Sequence, residues 1–180
     1  IYIKTNFFLG EEIHVMGDWF IIHFTENPGM AFGYELGFSW GKLALSLFRI
    51  AAIIALGFYI RHLVKRQSPT GLIISISLIM AGALGNMIDS AFYGVIFNES
   101  MFHEQAVLFP PDGGYAGFLH GKVVDMFYFP LFSFTWPEWM PWLGGDLFTF
   151  FQPVFNIADA SITIGVALIL LFQKHFFKHQ

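Results

Sequence analysis

FNIADASITIGVALILLF, residues 155–172, places a single carboxylate, Asp159, at the mouth of a run that carries no ionisable side chain from Ala160 to Phe172. Such a run reads as a helix in lipid, where ~20 consecutive apolar residues make a crossing. Extended over 154–173 it reaches that length. Two further runs have the same character. GKLALSLFRIAAIIALGFYIRHLV, 41–64, is apolar except for Arg49 and its two ends, and TGLIISISLIMAGALGNMI, from residue 70, is uncharged until Asp89 closes it. Together they predict a mainly α-helical integral membrane protein. Its spans fall at about 41–64, 70–89 and 154–173, within a single membrane-embedded domain over 1–180.

Composition points the same way. Of the 180 residues, 56% are hydrophobic and 12% charged, against about 25% charged in a soluble domain. Much of the surface therefore faces something other than water. Aromatic residues reach 19%, including 24 Phe, which suits contact with lipid and its interfaces. The absence of cysteine excludes disulfides, thiol nucleophiles and thiolate metal sites. There is no Gly-rich phosphate loop, and His103-Glu104 in FHEQAV lacks the second His that a zinc-binding helix requires. No metal, cofactor or nucleic-acid partner is expected.

Charge placement sets an orientation. Five of the nine basic residues lie in two short segments free of acids, RHLVKRQ (Arg61, Lys65, Arg66) and KHFFKHQ (Lys174, Lys178). Basic loops stay in the cytoplasm, which puts the 61–69 turn and the C-terminus inside. Segments of about 10–40 and 90–153 then lie outside. With the 41–64 run crossing inwards, residue 1 falls outside. An earlier crossing, largely missing from this sequence, is the expectation.

The outer segments carry structure of their own. HVMGDWFIIHFTEN (14–27) and GKVVDMFYFPLFSF (121–134) are rich in β-branched and aromatic residues and predict strands. On the second, Val123, Asp125, Phe127 and Phe129 share a face. The Gly- and Pro-rich stretch 98–121 reads as loop, and TWPEWMPWLGG (135–145), with Trp136, Trp139 and Trp142, as a segment at the membrane interface.

Polar groups gather where the spans end. Asn86 and Asp89 are three residues apart on one helical face, with Gly82 and Gly85 making room for a neighbouring helix. Asn156 and Asp159 repeat the spacing. Asp125 sits in the midst of a β-branched run. Singly, Asp159 reads equally as a helix cap, Asp89 as an end group and Asp125 as a solvated strand residue. Converging, they suggest a pair of carboxylates sharing one proton, able to activate water and protonate a leaving amine. Membrane carboxylates also relay protons in small transporters, which usually hold them near the midplane. A non-catalytic membrane scaffold is the third class.

ENPGMAFG (26–33), GALGNMIDS (82–90), GKVVDM (121–126) and FNIADASITIG (155–165) resemble, in that order, the motifs of bacterial lipoprotein signal peptidase, or signal peptidase II. The KTNFFLGEEI opening and the long insert are similar to Bacteroidetes-type versions. The resemblance implies a four-helix aspartyl endopeptidase of the bacterial inner membrane with a small periplasmic β-cradle and its active site on the periplasmic side. It would cut the signal peptide from diacylglyceryl-modified prolipoproteins just before the lipidated cysteine, in contact with membrane lipid. Asp125 and Asp159 match the family's catalytic pair, and Asn27, Asn86, Asp89 and Asn156 match polar positions around it. A globomycin-type cyclic peptide would be an inhibitor. Ser90 departs from the pattern, since many members have Arg there; Arg49, the charge within the 41–64 span, is the candidate to replace it.

Overall fold

The computed structural model describes residues 1–28 and 41–177. Residues 29–33 of the ENPGMAFG motif, and Lys178 in the tail, lie outside the described residues. The described chain falls into two compact units. The first contains 1–26, 100–106 and 124–155, and the second 27–99, 107–123 and 156–180.

Among the described residues, the helical unit holds three helices long and apolar enough to cross a membrane: α2 (Gly41–Lys65), α3 (Thr70–Ile96) and α4 (Ile157–Phe176). Here α1 denotes the short helix Tyr2–Asn6 of the other unit. Large apolar side chains such as Phe48, Phe58 and Leu171 point outward from the helices, as lipid-facing surfaces do. The α2–α3 connection is short because it closes its own hydrogen bonds. Ser68 N–H donates to the Leu63 carbonyl and Gln67 N–H to that of Val64, while Gln67 takes the left-handed conformation at φ 51°. This is a Schellman ending, and Pro69 prevents the helix from continuing. Leu63, Leu72, Ile76 and Phe176 form a buried cluster at that end.

Small residues govern how α3 meets α4. A Cβ added at Gly82 would sit 2.2 Å from the Ala158 carbonyl oxygen, and one at Gly165 would sit 2.6 Å from that of Ser75. Two glycines, one from each helix, therefore let the backbones approach closely, the small-residue packing common between helices in lipid. Gly82→Val is expected to force the pair apart and destabilise the fold by about 1–3 kcal/mol while the helices remain inserted. Unfolding in a graded denaturing detergent, with circular dichroism as the control for helix content, checks this.

α3 runs to Ile96, a further seven residues past the end at 89 expected from sequence. The reason lies in the 107–121 loop, which folds back along the last turns of α3. Ala116, Leu119 and Gly121 N–H groups donate to the carbonyls of Gly94, Ala91 and Ser90. Gly94 and Gly114 permit this contact, since a Cβ on Gly114 would lie 2.1 Å from the Gly94 carbonyl oxygen. Asn86 and Asp89 thus lie within the helix rather than at its end. α4 begins at Ile157 rather than 154, because Asn156 caps it.

The other unit contains most of a three-stranded sheet of order β1-β2-β3, with β1 Glu12–Met16, β2 Phe20–Asn27 and β3 Val123–Tyr128. It also contains a separate antiparallel hairpin of β4 (Phe132–Thr135) and β5 (Leu147–Phe150). The stretches expected as single strands are each interrupted. Gly17, at φ 54°, turns β1 into β2, and a break after Tyr128 separates β3 from β4. Phe20 stacks on Phe129 at 4.8 Å between centroids, and Phe129 on Phe155 at 5.8 Å, giving the sheet an aromatic face. Lys4 of α1 is fully buried, paired with Glu26 and donating to Ser100 Oγ at 2.7 Å. A buried cation must be paired and hydrogen-bonded in this way.

Candidate active site

Asp159 stands at the third position of α4, and its backbone and side chain are both engaged. Asn156 Oδ1 accepts from Asp159 N–H at 3.0 Å, and Asp159 Oδ2 accepts from Asn156 N–H at 3.3 Å, a reciprocal capping box. The remaining oxygen, Oδ1, accepts from Asn86 Nδ2 of α3 at 2.8 Å. Asn156 Nδ2 in turn donates to Asn86 Oδ1 at 3.1 Å. Asn86 and Asn156 are buried, and Asp159 is half-buried. Two side-chain bonds through Asn86 and the two cap bonds to backbone N–H groups link the three residues in a closed ring, so the carboxylate has little rotational freedom. The cap of α4 is Asn156 rather than Asp159, which takes the third helical position of the same capping box and has its other oxygen held by Asn86.

Two more charged side chains of the helical unit lie nearby in sequence or space. Arg49 of α2 donates from Nη1 to Ser90 Oγ at 3.2 Å, and its charge interacts with that of Asp159. Asp89 accepts a hydrogen bond from the Tyr93 hydroxyl one turn on. Ser90 and Tyr93 were not singled out from sequence as partners. Their signal was the spacing: Asn86, Asp89, Ser90 and Tyr93 fall at intervals of three and four, on one stripe of α3.

Asp125 belongs to the other unit. It lies on β3 and is 3% exposed, so it is no solvated strand residue. The N–H groups of Met126 and Phe127 donate to the Phe155 carbonyl at 3.1 and 2.8 Å, and Phe155 precedes the Asn156 cap in the chain. Asn27 closes β2 and is half-buried. The structure thus joins Asn86, Asn156 and Asp159 directly, brings the charge of Arg49 to bear on Asp159, places Asp89 on the same helix, and buries Asp125 in the other unit. Among the described residues no cluster of three His, Asp or Glu that could hold a metal ion occurs.

Comparison with known proteins bears on this arrangement. The profile of the signal peptidase (SPase) II family matches residues 1–175. A lipoprotein signal peptidase of Porphyromonas gingivalis is 53% identical over 173 residues, covering 95% of this chain and 74% of that protein. One from Amoebophilus asiaticus is 42% identical over 164 residues, covering 91% and 65%. Among solved structures, one described as a bacterial membrane enzyme aligns over 99% of this chain and 80% of its own, with TM-score 0.61 and 26% identity. A second with that description has the same TM-score at 27% identity and 83% coverage of its chain. With a clamped carboxylate at the opening of an apolar helix, and matched along nearly its whole length, the chain belongs to the signal peptidase II family of membrane aspartic peptidases.

Proposed function

We propose that Asp125 and Asp159 are the catalytic pair with which this chain removes the signal peptide from diacylglyceryl-modified prolipoproteins, cutting before the lipidated cysteine. The observation that carries the proposal is the clamped carboxylate of Asp159, held at both oxygens at the start of an apolar helix. Two carboxylates acting on one bond share a proton: one is the base and the other the acid. The base takes a proton from water as the water oxygen attacks the scissile carbonyl carbon. The acid donates its proton to the departing cysteine nitrogen as the C–N bond breaks. Asn86 and Asn156 orient Asp159 for this exchange. Asn27 and Asp89 are proposed to line the same centre, where a globomycin-type cyclic peptide would compete with the substrate.

Family membership sets the transporter reading aside. A non-catalytic scaffold would leave substrate intact, so one assay decides. The purified protein is incubated in lipid with a prolipoprotein bearing the diacylglyceryl group and with the same chain lacking it. Cleavage confined to the lipidated form is expected; indifference to the lipid would contradict the proposed substrate. The distribution of Lys and Arg supports a cytoplasmic 61–69 turn and C-terminus with the catalytic pair on the opposite, periplasmic side, and the family resemblance supports the bacterial inner membrane as the location.

Arg49 is proposed to support the pair by facing Asp159 while bonded to Ser90, filling the role of the Arg that many relatives carry at the Ser90 position. Arg49→Leu is expected to lower cleavage by about tenfold or more, with the protein still inserted. Arg49→Leu combined with Ser90→Arg is expected to recover part of the loss. Near-normal cleavage by Arg49→Leu alone would contradict the role.

A further inference from the structure

The β4–β5 hairpin takes no part in the site described above, and its chemistry is unlike that of a strand pair made for water. Its register pairs Phe132 with Phe150 and Phe134 with Phe148, so one face is a ladder of rings. Phe132 stacks on Phe150 at 5.0 Å, and Trp136 meets Phe134 edge-on at 4.8 Å. The opposite face carries Ser133 and Thr149, whose hydroxyls lie 3.0 Å apart. An isolated two-stranded hairpin is marginal in water, and here four of the five ladder residues at 132, 134, 136, 148 and 150 are Phe.

The turn beyond the ladder is odder still. Trp139 is 77% exposed and Trp142 99% exposed. Trp142 also holds φ at 64°, a left-handed backbone that is unfavourable for a bulky side chain. In water this one residue would combine backbone strain with a fully hydrated indole. Meanwhile the turn closes much of its own backbone. Trp136 and Gly145 N–H groups exchange bonds with the Asp146 and Trp136 carbonyls, and Met140, Gly144 and Asp146 N–H groups donate within the turn. Pro137 and Pro141 have no N–H to satisfy. Each donor closed in this way is one fewer that must keep bulk water as its partner.

We propose that this hairpin is an interfacial anchor, its tip at Trp139, Trp142 and Leu143 entering the headgroup region of a lipid bilayer. The occupant is lipid rather than another protein because the hairpin is continuous with a membrane span. The segment from Phe150 to Asn156, the cap of α4, spans only ~20 Å even when fully extended. Tryptophan is the residue type enriched at that depth. Between 129 and 155 the only ionisable residues are Glu138 and Asp146, with no Lys, Arg or His. The attachment is therefore apolar and needs no anionic lipid, unlike polybasic attachment.

The chain has no cysteine, so a single label can be placed by one substitution. Trp142→Cys, and separately Leu143→Cys because Trp142 is itself part of the anchor, are labelled with a nitroxide in phosphatidylcholine bilayers. Asp112→Cys, in an exposed loop, is the reference. Both hairpin labels are expected to be severalfold more accessible to oxygen, relative to a water-soluble nickel chelate, than the reference label. Neither high salt nor added phosphatidylglycerol should change this. Accessibility equal to that of the reference would overturn the proposal, as would dipolar broadening showing that copies pack hairpin to hairpin. No turnover is read, so the outcome is independent of the catalytic assignment.

Discussion

Asp125→Asn and Asp159→Asn are each expected to reduce cleavage of a lipidated prolipoprotein by about 10³-fold or more, the scale of losing the acid or the base from a proton-transfer step. The substitution is nearly isosteric, so packing and insertion should survive. At position 159 the single amide oxygen can replace only one of the two carboxylate oxygens, so either the bond from Asn86 Nδ2 or that from the Asn156 N–H is given up, while the Asn156 Oδ1 bond to the backbone N–H of residue 159 still caps the helix. What is lost is a group that can exchange a proton. On the proposed sharing of a single proton by the two carboxylates, the double variant is expected to be about as impaired as either single one rather than multiplicatively worse. Multiplicative loss would point to two independent roles.

Asn86→Leu is the next largest expected effect. Asn86 is buried and is the only link between α3 and Asp159 among the hydrogen bonds above. Leucine would remove the donor to Asp159 Oδ1 and the acceptor for Asn156 Nδ2 together. Leaving buried polar groups without partners costs about 1–3 kcal/mol each. The carboxylate would be freed to rotate about its own cap. Misplacement of a reacting group by ~1 Å can cost 10²-fold in rate, so a fall of roughly that size is expected, mainly in kcat. Asn86→Gln, which keeps the amide on a longer arm, should fall between. An effect confined to KM would contradict a positioning role and place Asn86 in substrate binding instead.

The three spans were legible because a run of apolar residues long enough to cross lipid has few other uses. Their ends were not. The extension of α3 to Ile96 depends on Ala116, Leu119 and Gly121 donating to its last turns, a contact that no local pattern announces. The hairpin was hidden for a related reason: β4 and β5 are held by pairing across an eleven-residue connection, and that register is a long-range fact. TWPEWMPWLGG was read as an interfacial segment, and the structure makes it the end of β4 and the hairpin turn. At the site, the i, i+3 spacing of Asn86 with Asp89, and of Asn156 with Asp159, was visible in the chain. The bond between Asn86 and Asp159 was not, since it relies on Gly82 letting α3 and α4 approach. Ser90 looked like a lost arginine. In the structure it is the acceptor for one from another helix.

A carboxylate pair, Asp125 with Asp159, is proposed to hydrolyse the bond before a lipidated cysteine. Mass spectrometry of the products formed from a diacylglyceryl-modified prolipoprotein by the protein and by its Asp125→Asn variant, in the same lipid, tests the pair. Two products are expected from the unaltered protein, a free signal peptide and a polypeptide beginning at the lipidated cysteine, and intact substrate with the variant. Continued cleavage at that bond by Asp125→Asn, at a rate near that of the parent, would contradict it.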